Sequence, residues 1–138
     1  MLYGSAFVIG AVLYPLLELL WRGRTHITMA FVGGICLCLI YSVNEKLGAG
    51  TSLYLRALLC SAAITGVEFV SGCLFNIVLR LRVWDYSAHM FNLLGQICLL
   101  YSVLWFILCI PLCAVCTRAA RLLHRADAEE NIDDREIL

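Results

Sequence analysis

Ser61, Thr65, Glu68, Gly72 and Asn76 recur at steps of 4, 3, 4 and 4 residues along an otherwise apolar stretch. On a helix, that spacing puts all five on one face. The other faces carry Leu58, Ile64, Val67, Phe69, Val70 and Leu74. A stripe of small and hydroxyl residues lets helices approach closely and hydrogen-bond across the contact. That accounts for Ser61, Thr65 and Gly72. It does not account for Glu68, because an ionisable group at the centre of a membrane helix costs roughly 2.5–3.5 kcal/mol on insertion scales. A carboxyl so placed is either a packing group bonded between helices or a titrating, ligand-binding group.

Other polar residues repeat the problem. Glu18 and Arg22 stand at i, i+4 with the acid first, the favourable order for an ion pair. Arg24 and His26 follow them closely, while Asn92 and Gln96 form a second i, i+4 pair. Trp84 and Asp85 lie in the polar and aromatic stretch between residues 80 and 90. Bland roles exist for several of these: a snorkelling pair at a helix end, interhelical bonds from the amides, interface aromatics at Trp84 and Tyr86. Asp85 has no such role. The acids could serve acid–base chemistry, and the arginines could hold phosphate.

The elements that must position these groups follow from composition. Hydrophobic residues make up 62% of the 138 residues and charged residues 14%. Soluble domains run nearer roughly 45–50% and about 25%. A chain this short would need extra polar surface in water, so lipid is its solvent. Four apolar runs at about residues 2–21, 27–43, 52–79 and 91–116 reach the roughly 20 residues that span a bilayer as helix. The expected fold is all-α: a polytopic transmembrane helix bundle in the cell membrane, with a short charged helical tail at 117–138. The first run lacks a basic leader and a small-residue cleavage site, so it reads as a retained helix. Pro15 should kink it one turn before Glu18. Arg56, near the start of the third run, can snorkel to the interface.

With four spans, the Arg22/Arg24 and Arg80/Arg82 loops share one side. Glu18, Asn76, Asn92 and Gln96 then lie near that side, with Glu68 about 12 Å deeper than Asn76. The expectation is a polar funnel with Glu68 at its base. Its candidate substrate-binding residues are Glu18, Arg22, Arg24, His26, Glu68, Asn76, Trp84, Asp85, Asn92 and Gln96.

The net charge of zero gives no pull toward nucleic acid. The eight cysteines fall in or at the ends of apolar runs, where a thiol acts as a small hydrophobe. Cys109, Cys113 and Cys116 have helical spacing but no His or carboxylate in their run, so neither a metal nor another cofactor is expected.

The stretches YPLLELLWRGRTH (14–26), EFVSGCLFN (68–76), VWDYS (83–87) and FNLLGQICL (91–99) resemble the ABC-transporter type IV family of CmpB-like bacterial membrane permeases. The resemblance covers residues 10–116. It implies a permease, and the family pattern carries over at all ten candidate residues. The chain departs from that pattern at Ile27, where an aromatic is usual, and at His89-Met90, where proline often precedes the FN pair. It contains no phosphate-binding loop, so an ATPase serving it would be a separate chain.

Three functions fit these residues. A transport component would use the deep acid on a substrate or proton path, and would need a second copy or a partner, because four helices are few for a pathway. A membrane-embedded enzyme acting on a lipid would use Glu18, Glu68 and Asp85, although no nucleophile or metal motif supports it. A non-transporting scaffold or accessory subunit would use the polar cluster to lock helices together.

Overall fold

The computed structural model describes the backbone of residues 2–136 and the side chains of residues 3–122. Among these residues four helices are long and apolar enough to cross a membrane. The first, α1, runs Leu2–Arg22 and contains Pro15 without ending there. It stops at Gly23, whose φ of +70° suits glycine and whose N–H bonds the Leu19 carbonyl at 2.9 Å. The second, α2 (Thr28–Leu47), extends past the expected residue 43 and ends at Gly48, with φ +64° and an N–H bond to the Asn44 carbonyl.

Close approach of α1 to α2 rests on glycine. A Cβ on Gly10 would lie 2.3 Å from the Gly33 carbonyl oxygen, and a Cβ on Gly34 would lie 2.6 Å from the Phe7 ring. The third helix, α3 (Leu53–Gly72), continues into a wider π-helical turn at Cys73–Val78. Together they form the third span, Leu53–Val78.

The fourth apolar run departs from expectation. Asn92–Leu93 (β1) pairs antiparallel with Ile97–Cys98 (β2), and the helix α4 (Leu99–Glu136) begins eight residues later than the run suggests. Turn chemistry explains the difference. Phe91, Leu94 and Gly95 take positive φ. The Asn92 side chain accepts from the Gly95 N–H and donates to the Ser87 and His89 carbonyls. Asn and Gly thus fold the segment as a hairpin despite its apolar neighbours. The tail residues 117–136 continue α4, and the side chains beyond residue 122 lie outside the described residues.

Helix α2 is central, packed against α1, α3 and α4, and α3 packs closely against α4. The core joins Met29, Val32, Cys36 and Ile40 of α2 to Ala57, Cys60 and Ile64 of α3 and to Cys109 and Cys113 of α4. Val83 and Trp84, from the connection between α3 and β1, complete it. Cys60, Cys109 and Cys113 are fully buried, and all eight cysteines are free, so thiols fill the tight helix contacts as small apolar groups. Many large side chains, such as Val8, Leu20 and Leu108, point outward, as lipid permits.

Arg56 does not snorkel. It is 5% exposed and turned into the bundle, where Nη1 donates to Asn44 Oδ1 at 2.8 Å and to Thr117 Oγ1 at 2.5 Å. Asn44 also contacts Cys113 Sγ at 3.3 Å. Amide and hydroxyl oxygens thus engage one end of the buried guanidinium, while its Nε has no hydrogen-bond partner among the described residues, so the end away from the arginine loops also holds a polar network.

Candidate functional site

Helix α1 packs chiefly against α2, whereas α4 packs chiefly against α3. A cleft of about 300 Å³ therefore remains between α1 and α4. Tyr14, Leu17, Glu18, Trp21 and Arg22 of α1 form one wall. Tyr101, Leu104, Trp105, Ile107 and Leu108 of α4 form the other. Glu68 of α3 is the inner polar group, and Tyr86 of the connection closes one end. The rim residues Leu17, Trp21 and Ile107 are half or more exposed, so the cleft opens sideways toward lipid.

Glu68 is only 3% exposed. Tyr14 donates its hydroxyl to Glu68 Oε1 across a long 3.5 Å. The buried Trp105 Nε1 faces the same carboxyl without completing a hydrogen bond. The Tyr14 and Trp105 rings stack at 5.5 Å and 26°, which joins α1 to α4 beside the acid. A second stack, Tyr86 on Tyr101 at 4.5 Å and 17°, stands toward the arginine loops. Burial holds the Tyr86 phenol well above its usual value, so it stays neutral.

Glu18 and Arg22 meet at 2.5 Å, the one ion pair among the described residues. Thr25 donates to the other Glu18 oxygen at 2.5 Å, and Arg22 Nη2 donates to the Val83 carbonyl at 2.9 Å. This set ties the end of α1 to the connection after α3. Both charges are spent on each other, which leaves Glu68 as the cleft's carboxyl without a cationic partner among the described residues.

The remaining expected residues lie elsewhere. Asn76, Trp84 and Gln96 form a network behind the cleft. Asn76 Nδ2 donates to Gln96 Oε1 at 2.8 Å, the Val83 N–H donates to Asn76 Oδ1 at 2.7 Å, and Trp84 Nε1 donates to the Gln96 carbonyl at 2.9 Å. Gly72 leaves room for the Gln96 side chain, since a Cβ there would lie 2.6 Å from Gln96 Oε1. Asp85 is exposed and accepts from the Ser87 N–H and hydroxyl, bonds that hold its carboxyl below the usual range. Asn92 is an exposed turn former. Arg24 is exposed, and His26 Nδ1 meets the Thr28 hydroxyl and N–H at the start of α2.

Three of the ten expected residues thus line the cleft: Glu18, Arg22 and Glu68. Sequence reasoning missed Tyr14, Tyr101 and Trp105 as site residues. Their signal was present: Tyr101 and Trp105 stand at i, i+4, and Tyr14 stands one turn before Glu18.

A family model described as "Putative ABC-transporter type IV" matches residues 1–129. The chain belongs to this family. Membership agrees with the four apolar helices and with the resemblance carried by the motifs at 14–26, 68–76, 83–87 and 91–99. No curated protein and no solved structure matches the chain. In this family member, two of the four motifs supply the cleft's ionisable groups, and VWDYS supplies Tyr86.

Proposed function

We propose that the chain is the transmembrane, permease component of an ABC-type transport system in the cell membrane, and that its substrate contacts Glu68 in the cleft between α1 and α4. One observation carries this reading: a buried carboxyl, without a cationic partner among the described residues, lines a cleft that opens to lipid. Ionisable groups inside a membrane are expensive, and they mark substrate or ion paths when they face a cavity. Family membership favours transport, in which this sequence, with no phosphate-binding loop of its own, works with an ATPase. Four helices enclose little volume, so a second copy or a partner completes the pathway.

The test is purification of the tagged chain in mild detergent, followed by identification of what accompanies it. Transport predicts an ABC-type ATPase whose ATP hydrolysis changes when the chain is added back. A chain that neither retains such an ATPase nor alters its turnover, but releases a chemically altered lipid, is instead a membrane-embedded enzyme. A chain that does neither is a scaffold.

A further inference from the structure

The chemistry of the cleft wall restricts what can occupy it. Five aromatic side chains line it, Trp21 at the rim and two stacked pairs, Tyr14 with Trp105 and Tyr86 with Tyr101. Ring faces carry negative quadrupole potential and attract cations, most strongly where water is excluded. Beside them lies the Glu68 carboxyl, 3% exposed. Arg22, the cleft's cation, is already held by Glu18 and the Val83 carbonyl. The charged groups of the lining are therefore two acids against one base. An anion would meet an engaged guanidinium and a repelling carboxyl. The aliphatic part of the lining is Leu17, Leu104, Ile107 and Leu108, which suits a hydrocarbon chain. The rim is exposed where lipid would lie, so entry from the bilayer needs no aqueous channel.

We infer that the α1–α4 cleft binds a lipophilic organic cation, an amine or quaternary ammonium with an apolar chain, with its charge against Glu68 and the aromatic rings and its chain along α4. This deepens the transport reading by naming the substrate class of the same site. It can fail separately, because binding is measured on the purified chain without any ATPase.

The experiment titrates the full-length protein, in nanodiscs of neutral lipid, with hexyltrimethylammonium while tryptophan fluorescence is recorded. Trp21 and Trp105 both line the cleft and report occupancy. Hexyl sulfate and hexanol serve as the anionic and neutral chains of matched length. The wild-type protein should bind the cation saturably, and about ten-fold or more tightly than either control. Glu68→Gln should weaken cation binding by about ten-fold or more while hexanol binding is unchanged. Asp85→Asn, outside the cleft, should bind as the wild type does. Equal binding of cation and anion by the wild type would overturn the inference, as would absence of cation binding. These outcomes need no variant, so they hold even if Glu68→Gln fails to fold. Undiminished cation binding by a folded Glu68→Gln protein would overturn it as well.

Discussion

Gly10 and Gly33 meet backbone to backbone across the α1–α2 contact. A Cβ on Gly33 would lie 2.3 Å from Tyr14 Cβ and 2.5 Å from the Gly10 carbonyl oxygen. Such distances force the helices apart, and overpacking of this kind costs about 1–3 kcal/mol. Gly33→Ala should therefore lower the thermal unfolding midpoint in detergent. It should also displace Tyr14 from Glu68, since Tyr14 is the residue struck. Gly66, exposed on α3 with nothing within 4 Å of its Cβ position, is the control. Gly66→Ala should leave the midpoint unchanged or raise it, by the helix preference of about 1 kcal/mol for Ala over Gly.

Arg22 and Glu18 form the pair that ties α1 to the connection after α3. Arg22→Ala removes the partner of a carboxyl whose side chain is 7% exposed. Breaking such a pair costs on the order of 3 kcal/mol, at the low end of the buried range because Arg22 is partly exposed. The double variant Glu18→Gln with Arg22→Met leaves no unpaired charge and should recover most of that loss. If the single and double variants unfold at the same temperature, the pair contributes no coupling.

Gln96 holds the β1–β2 hairpin against the π-helical turn after α3 through Asn76. Gln96→Leu strands the Asn76 amide in a partly buried site, which costs about 1–3 kcal/mol. Amide hydrogen exchange should rise selectively across residues 79–98, with the helix cores of α2 and α3 unaffected. A uniform rise across the whole chain would mean that the hairpin is not a separable unit.

These residues also mark how far the sequence could be read. The helices were legible because a span demands about 20 apolar residues, and little else gives such runs. The hairpin at Asn92–Cys98 was not, because its apolar residues extended the fourth run while the turn chemistry of Asn92 and Gly95 acted locally. Glu68 and the Glu18–Arg22 pair were legible, since an ionisable group in an apolar run has few bland roles. The aromatic wall was not: whether Tyr14, Tyr101 and Trp105 face core, lipid or a cleft depends on which helices pack together, and periodicity carries no such information. Arg56 was misjudged for the same reason, because its position near a helix start says nothing about whether a neighbour supplies Asn44 and Thr117.

The central claim is that Glu68 is a reactive carboxyl reachable from the bilayer through the α1–α4 cleft. A lipophilic carbodiimide partitions into lipid and adds covalently to carboxylic acids there, whereas a water-soluble carbodiimide does not enter. Treatment of the protein in membranes with dicyclohexylcarbodiimide, followed by peptide mass spectrometry, should place the adduct on Glu68. Glu18, engaged by Arg22 and Thr25, should be labelled far less. Glu68→Gln should lose the modification, and the water-soluble reagent should leave Glu68 untouched. An unmodified Glu68 under conditions that label other carboxyls of the chain would contradict the claim and return Glu68 to the role of a packing group sealed between helices.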